Sequence, residues 1–285
     1  FTVNDGDVNS NTQTRDVTVA AVNDVPVLAN IEVSARPYTE NNPAAQITNA
    51  ITVTDVDDTN IENATVQITG NFQTGQDVLS ATGLPGGITA NFNAGNGTLT
   101  FSGSATPADY QTALRAVQYT NTSDDPNTAT RTIAFTVNDG DVNSNTQTRD
   151  VTVTSVNDAP LLANIEAGNV AYTENDPATQ ITNAITVTDV DDANIDTATV
   201  QITGNFQGGQ DVLSTAALPA GITANFNAGN GTLTFSGTAS RANYQTALRA
   251  VRYTNTSDDP NTATRTITFT VNDGDVNSNT QTRDV

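Results

Sequence analysis

The segment FTVNDGDVNSNTQTRDV, which occupies Phe135–Val151, decides the architecture because it occurs three times in the chain. Identical copies begin at Phe1 and Phe269, so that each copy lies 134 residues from the next (135 − 1 = 134 and 269 − 135 = 134). This period is much longer than the roughly 20–50 residues of a solenoid coil and matches the size of a whole domain. The sequence therefore predicts a tandem array of near-identical domains, each with its own core.

The register of the repeat places the predicted domain boundaries. We expect residues 1–22 to be the C-terminal strands of a preceding repeat. Residues 23–156 would form one repeat, and residues 157–285 a second repeat whose last strand is truncated. On this interpretation the native array continues in both directions.

Within each repeat the apolar residues alternate with polar ones, which is typical of strands with one buried face. Ile133, Phe135 and Val137 show the pattern most clearly. Asn96-Gly97 lies between two alternating runs and predicts a hairpin with a type I′ turn, in which both central residues need positive φ. Short strands with regular turn signals favour an antiparallel β-sandwich.

One segment of each repeat has a helical spacing instead. Tyr110, Leu114 and Val117 recur at intervals of three and four, with Thr106 suited to the N-cap and Pro107 to the first turn. We predict a short helix here, followed by a strand that begins at Val117. Tyr110, like Tyr119, is expected to fill the core rather than to offer a ligand platform.

The chain is strongly acidic, with 31 Asp and Glu, 10 Arg, a net charge of −21, and no Lys, His or Cys. Its charge repels nucleic-acid phosphates and anionic membranes, and no apolar run approaches the roughly 20 residues that span a bilayer. We therefore expect no nucleic-acid partner and no membrane insertion of this fragment. Without His, Cys or Lys it lacks the usual general bases and nucleophiles, and we predict that it is not an enzyme. Small cations are its natural partners.

The acidic residues cluster at predicted strand ends, where a sandwich gathers distant segments at its poles. Each repeat has a VND before a Pro, a YTEN, a TDVDD and a VNDGD element. Packed carboxylates repel one another unless a cation lies between them, and Ca²⁺ takes six to eight oxygen ligands. These acids predict calcium sites, or alternatively solvated turns that cap backbone groups. The loop from Asp139 to Asp150 resembles a calcium-binding EF-hand loop, but it also fits a polar hairpin between the last two strands.

Together these motifs resemble cadherin-like repeats, whose domains end in an Asp-Gly turn, a strand and a linker close to D-x-N-D-N-x-P. Here VNDGD and RDVTVTSVNDAP fill Val137–Pro160, while YTEN and TDVDD match the family's E-N and D-x-D elements. The middle of each repeat is similar to the chondroitin-sulfate-proteoglycan-type repeats of giant bacterial surface proteins. The resemblance implies an all-β fold of tandem Ig/cadherin-like antiparallel sandwiches, with one short helix per repeat. It departs at Ala21 and Ser155, where the family linker has Asp, and it includes no D-R-E motif.

The resemblance also implies Ca²⁺ as the cofactor at the junctions between repeats. Carried over by motif, one junction would combine Asn23 and Asp24 with Asp55, Asp57 and Asp139. The next would combine Glu40, Asn157 and Asp158 with Asp189, Asp191 and Asp273. Glu174 would serve a junction further along the array.

The function that follows is a non-catalytic, calcium-stiffened stalk of a secreted or surface-anchored bacterial adhesin, located outside the cell. Its partners would be calcium and the neighbouring repeats of the same chain. An alternative is an extracellular filament or sheath protein that assembles with other copies of itself. A third hypothesis is a glycan-binding module that uses the variable segment Val33–Pro37, although drift in an exposed loop also accounts for that segment.

Overall fold

A computed structural model describes all 285 residues. They form two compact units. Unit 1 comprises Phe1–Tyr38, Asn42–Thr122 and Thr128–Val153, and unit 2 comprises Thr39–Asn41, Ser123–Asn127 and Thr154–Val285. The domain boundaries at residues 22/23 and 156/157 stay a prediction.

The first repeat is built almost entirely of antiparallel strands. They form a six-stranded sheet in the order β2-β11-β10-β5-β8-β7, a three-stranded sheet in the order β3-β9-β6, and a two-stranded sheet of β1 and β4. The predicted all-β sandwich is therefore confirmed. The elements are β1 (Val27–Ala29), β2 (Arg36–Thr39), β3 (Ala45–Gln46), β4 (Thr52–Thr54), β5 (Ile61–Gly70), β6 (Asp77–Ala81), β7 (Thr89–Asn93), β8 (Thr98–Ala105), α1 (Pro107–Arg115), β9 (Val117–Asn121), β10 (Arg131–Asn138) and β11 (Gln147–Thr154).

The second repeat follows the same plan. Its sheets have the orders β17-β18-β15-β20-β21, β13-β19-β16 and β12-β14. Its last strand has four residues where β11 has eight. The elements are β12 (Leu161–Ala163), β13 (Thr179–Gln180), β14 (Thr186–Thr188), β15 (Asn194–Gly204), β16 (Asp211–Thr215), β17 (Thr223–Asn227), β18 (Thr232–Ser240), α2 (Arg241–Arg249), β19 (Val251–Asn255), β20 (Thr266–Asn272) and β21 (Gln281–Asp284).

The core of each repeat lies between its large and its three-stranded sheet. In the first repeat, Val66 and Phe135 from the large sheet share one buried cluster with Leu79 and Tyr119 from the smaller sheet. Burial of such side chains contributes roughly 1.5–3 kcal/mol each, which is the main force that closes the sandwich. The alternation that predicted the strands is thus confirmed.

The predicted helix is confirmed at α1. The Thr106 hydroxyl accepts a hydrogen bond from the Asp109 N–H, and Pro107 occupies the first turn, where its missing N–H costs nothing. Tyr110 and Leu114 are fully buried, so the helix packs against the core and Tyr110 fills it, as predicted. Neither helix in the structure has the length and apolar character needed to cross a membrane.

The hairpin between β7 and β8 is confirmed, but the predicted type I′ turn is wrong. The connection has four residues, Ala94–Gly97, and the N–H of Gly97 donates to the carbonyl of Asn93 at 3.0 Å. Only Gly97 has positive φ, at 68°. A Cβ there would lie 2.8 Å from the Phe72 ring, so this glycine is required by both its conformation and its packing.

A buried carboxylate at the start of β6 was not predicted. Asp77 accepts hydrogen bonds from the Tyr119 hydroxyl at 2.6 Å and the Asn121 amide at 2.7 Å, and it pairs with Arg131 at 3.1 Å. The charges of Asp77 and Arg131 are fully buried, so each depends on the other for stabilisation. Asp211 repeats the arrangement in the second repeat. Because Asn121 and Arg131 flank the loop between β9 and β10, Asp77 fixes both ends of that loop.

The first copy of the 17-residue segment has the sequence of the other two but not their environment. Phe1 is 91% exposed, whereas Phe135 and Phe269 are fully buried against β5 and β15. Residues 1–22 form a hairpin turn with an isolated bridge between Asn4 and Asn9, and no strand. Their assignment to a preceding repeat stays a prediction.

Candidate metal centres

The TDVDD segment of unit 1 forms a loop of three carboxylates directly after β4. Asp55 accepts hydrogen bonds from the N–H groups of Asp57 at 3.2 Å and Asp58 at 2.9 Å, which curls the loop around its own first side chain. As a result, carboxylate oxygens of Asp55, Asp57 and Asp58 lie within 4.8 Å of one another. This spacing suits a single divalent ion.

Two further predicted segments converge on this loop. The Asn23 side-chain amide donates to the Asp139 carboxylate at 3.0 Å, and the Asp24 N–H donates to the Asp57 carboxylate at 3.1 Å. We call Asn23, Asp24, Asp55, Asp57, Asp58, Asp139 and Asp141 the unit 1 cluster. All five residues predicted for the first junction thus lie together.

The charges of the unit 1 cluster act on one another. Desolvation raises the pKa of the Asp58 carboxyl, and so do the negative charges of Asp55, Asp57, Asp139 and Asp141. The pKa of Asp139 is lowered instead. Burial alone would raise it, but the carboxylate accepts hydrogen bonds that outweigh burial. The donors are the Val142 N–H, the Asn23 amide and the Asp141 N–H. Asp139 therefore holds its loop in place as a hydrogen-bond acceptor. Asp58 is the carboxylate that the neighbouring negative charges destabilise in its ionised form.

The equivalent acids of unit 2 make the same hydrogen bonds. The Asn157 amide donates to Asp273 at 3.0 Å, and the Asp158 N–H donates to Asp191 at 3.1 Å. Asp189 accepts from the N–H groups of Asp191 at 3.3 Å and Asp192 at 3.0 Å, just as Asp55 does in its loop. The side-chain pairing of Asn157 with Asp273 lowers the pKa of Asp273, again against an opposing effect of burial.

Unit 2 gathers two more acids from segments far away in sequence. Glu40 is 3% exposed, and its carboxylate accepts the Val156 N–H at 2.9 Å, two residues before Asp158. Asp124 belongs to the Ser123–Asn127 segment of the same unit. Desolvation raises the pKa of Asp158, and the charges of Asp191 and Asp124 raise it further. We call Glu40, Asp124, Asn157, Asp158, Asp189, Asp191, Asp192, Asp273 and Asp275 the unit 2 cluster.

Several buried carboxylate oxygens in these clusters have no hydrogen-bond partner. They are Oδ2 of Asp158, Oδ2 of Asp189 and Oδ1 of Asp191 in unit 2, and Oδ2 of Asp55 in unit 1. A buried anionic oxygen without a donor is costly, and more than nine in ten buried polar groups in proteins are paired. Ca²⁺ binds oxygen ligands, both carboxylate and amide, and needs oxygens that are free to accept it. The clusters offer all of these. The residues present therefore fit the ion that the resemblance implies.

Glu174 is the one predicted ligand that the structure does not bring to the others. It is exposed, and its carboxylate accepts a hydrogen bond from the side chain of its neighbour Asn175 at 3.3 Å. Its counterpart Glu40, in the same motif, is buried.

The EF-hand-like alternative for the loop after β10 does not fit the geometry. The Asn145 side chain donates to the Leu28 carbonyl at 2.9 Å and accepts its N–H at 2.8 Å, which makes it a clamp for β1. Asn143 accepts from the Asn138 amide at 2.8 Å. These side chains are used within the hairpin, as the polar-hairpin interpretation predicted.

Asp124, whose charge acts on Asp158, is not among the ligands that the sequence analysis predicts. The segment TSDDPN recurs with the same 134-residue spacing at Asp258 and Asp259. An acidic pair before a proline is typical of a solvated turn, so this recurrence alone does not predict a ligand.

No protein-family model matches the chain. A stretch of 91 residues, 30% of the chain, is 41% identical to halomucin of Haloquadratum walsbyi, and it corresponds to 1% of that protein. Among solved structures, extracellular cadherin domains 1–5 of protocadherin gamma B2 are 13% identical, with a TM-score of 0.36 over 93% of this chain and 39% of that one. Domains 4–9 of the surface layer protein SbsC are 12% identical, with a TM-score of 0.26 over 100% of this chain and 34% of that one.

The C-terminal domain of the Streptococcus agalactiae AgI/II polypeptide BspA is 9% identical, with a TM-score of 0.24 over 91% of this chain and all of that one. Cadherin domains thus occur among the solved structures to which the chain is similar. Identities and TM-scores this low assign neither a family nor a function. The chain spans less than half of the protocadherin and SbsC chains and about a hundredth of halomucin.

Proposed function

We propose that this chain is a non-catalytic extender of an extracellular surface protein, in which calcium held by the acidic clusters ties consecutive β-sandwiches into a stiff stalk. The observation that carries the proposal is the set of unpartnered, buried carboxylate oxygens on Asp158, Asp189 and Asp191. Anionic oxygens that are buried without donors are costly, and a bound cation removes that cost.

The proposed ligands divide into coordinating and supporting groups. Asp158, Asp189 and Asp191 have unused oxygens and would coordinate the ion in unit 2, with Glu40 beside them. Asp273 accepts hydrogen bonds at both carboxylate oxygens and would hold the linker in place through Asn157. In unit 1, Asp55, Asp57 and Asp58 would coordinate, and Asn23, Asp24 and Asp139 would position their loop.

Stiffening follows from the distance in sequence between the ligands. Glu40 directly follows β2 of the first repeat, whereas Asp158, Asp189 and Asp191 belong to the second repeat or to the linker before it. An ion that binds all of them restrains the torsion angles of the linker. Such restraint removes the freedom that a short polar linker otherwise has. The composition supports the absence of catalysis, because the chain offers neither imidazole, thiol nor amine chemistry.

Small-angle X-ray scattering with and without calcium tests the stalk directly. The wild-type chain in 10 mM CaCl₂ should give a longer maximum dimension and a narrower distance distribution than in EGTA. The variant Asp158→Asn/Asp191→Asn should lose this response. Asp16→Asn removes an exposed charge outside both clusters and should keep it. Identical wild-type curves in calcium and EGTA would contradict the stiffening.

A second candidate, assembly of copies into a filament, is favoured by the edge strands β7 and β17, each of which ends a large sheet. Exposed edges can pair with another chain. Analytical ultracentrifugation over a hundredfold concentration range in calcium tests it, and a constant monomer mass would exclude this candidate.

A further inference from the structure

A small polar pocket of about 180 Å³ lies in unit 1, beside the variable segment Val33–Pro37. Two neighbouring strands of the large sheet contribute to it, because Arg36 begins β2 and Arg149 belongs to β11. Its volume is below the roughly 300–1,000 Å³ of sites for drug-sized ligands, so the pocket suits a small molecule. All the side chains that line it are polar or charged: Glu32, Arg36, Gln46, Thr48, Asn49 and Arg149.

The one carboxylate of the pocket is already bound within the protein. Glu32 accepts hydrogen bonds from the Thr48 hydroxyl at 2.5 Å and from the Asn49 N–H at 3.1 Å. It also forms an ion pair with Arg149 at 3.2 Å. The charges of Glu32 and Arg149 therefore compensate each other, and neither needs a ligand.

Arg36 is the charge of the pocket that has no counter-charge. It forms no ion pair, and its Nε is buried without a hydrogen-bond partner. A buried donor without an acceptor is costly, and a ligand that supplies an acceptor removes that cost. Since Glu32 neutralises Arg149, the pocket has an excess of positive charge in a chain whose net charge is −21.

The second repeat shows which part of the pocket the fold requires. Its ion pair between Glu166 and Arg283, at 2.9 Å, corresponds to that between Glu32 and Arg149 and forms without an arginine at the position of Arg36. Arg36 is therefore dispensable for this ion pair. At a spacing of 134 residues the other lining residues recur as Glu166, Gln180, Thr182, Asn183 and Arg283, whereas Val170 replaces Arg36.

We propose that this pocket binds a small carboxylate ligand of the sugar-acid class, with the Arg36 guanidinium as its anchor. A guanidinium presents its N–H donors in a planar fork that matches the two oxygens of a carboxylate. The amide side chains of Gln46 and Asn49 are exposed at the pocket and suit the hydroxyl groups of a sugar. The site includes no residue of the acidic clusters, so the proposal is independent of calcium.

Saturation-transfer difference NMR with D-glucuronate tests the proposal on the whole chain. EGTA is present throughout, so that calcium cannot bridge the ligand to the acidic clusters. The wild type should give a saturable signal, whereas D-glucose, which lacks the carboxylate, should give none. Arg36→Val introduces the residue of the second repeat and should bind at least about tenfold more weakly, because it removes hydrogen bonds to a charged group.

Two controls separate the loss of the anchor from other effects. Arg15→Val removes an exposed arginine outside the pocket and should bind glucuronate like the wild type. Arg36→Gln keeps a polar side chain and should show the same loss as Arg36→Val, and thermal melts identify a variant that does not fold. Equal binding by the wild type and the folded Arg36 variants would overturn the proposal.

The nature of the ligand is tested by competition with sodium sulfate and sodium phosphate. A site for a sugar acid should release glucuronate only at a higher concentration of either inorganic anion. Displacement by a lower concentration of sulfate or phosphate would overturn the assignment to a carboxylate. The absence of any saturable glucuronate signal from the wild type would also overturn it, and would mean that the pocket holds only water.

Discussion

Replacement of Asp189 by asparagine should have opposite effects with and without calcium. In the apo protein one Asp189 oxygen accepts two backbone N–H groups, and an asparagine carbonyl can keep both. The other oxygen is buried without a donor near Asp191. An amide NH₂ in that place would donate to a neighbouring carboxylate, so Asp189→Asn should stabilise the apo unit by about 0.5–1.5 kcal/mol.

In calcium the wild type should instead be more stable than Asp189→Asn. If the affinity lies in the range of about 10⁻⁴–10⁻³ M that extracellular modules show, 10 mM calcium stabilises the wild-type site by roughly 1.4–2.7 kcal/mol, from RT ln(1 + [L]/Kd). Asp189→Asn lacks a central ligand and should lose most of that gain. The variant would then be the more stable protein in EGTA and the less stable one in calcium.

Urea unfolding, followed by tyrosine fluorescence in EGTA and in 10 mM CaCl₂, measures both free energies. Asp16→Asn serves as a control for the removal of one negative charge and should respond to calcium like the wild type. If Asp189→Asn were equally destabilised in EGTA and in calcium, Asp189 would not be a calcium ligand and would only cap its own loop.

Three further predictions concern the scaffold and can be checked by denaturant unfolding. Glu166 forms an ion pair with Arg283 at 2.9 Å. Burial alone would raise the pKa of Glu166, but its hydrogen bonds and the charge of Arg283 lower that pKa from 4.5 to about 2. Its contribution is therefore fully present above pH 4.5 and is lost as the pH falls through about 2. Glu166→Gln should cost about 1–2 kcal/mol at pH 7, discounted for solvent exposure, and less than about 0.5 kcal/mol at pH 2. Asp77→Asn leaves a buried arginine without its counter-charge and should cost about 3–5 kcal/mol; a cost under 1 kcal/mol would contradict the buried pair. Gly103→Ala places a Cβ 2.0 Å from the Gly87 carbonyl oxygen at a φ of 128° and should cost more than about 2 kcal/mol. A neutral effect would show that β8 and the turn at Gly87 can move apart.

Much of the fold could be predicted from local pattern. The alternation of Ile133, Phe135 and Val137 predicts a strand because a half-buried strand needs period two. The Thr106-Pro107 pair predicts the start of a helix because both residues suit unsatisfied N–H groups. The convergence of the acids could be predicted too, since it follows from the placement of strand ends in a sandwich.

What could not be predicted depends on tertiary context. Asp77 reads as a polar residue at a strand start, and only the folded chain shows that Arg131 reaches it in the core. Phe1 and Phe135 have the same neighbours in sequence and opposite burial, because only one of them has a strand to pack against.

The most direct test of the proposed calcium site is a crystal structure of this chain grown in calcium, with anomalous scattering used to identify the ion. We expect a Ca²⁺ in the unit 2 cluster with oxygens of Asp158, Asp189 and Asp191 at about 2.3–2.6 Å. The proposed site would be contradicted if those three carboxylates bound only water while calcium was well occupied elsewhere in the same crystal.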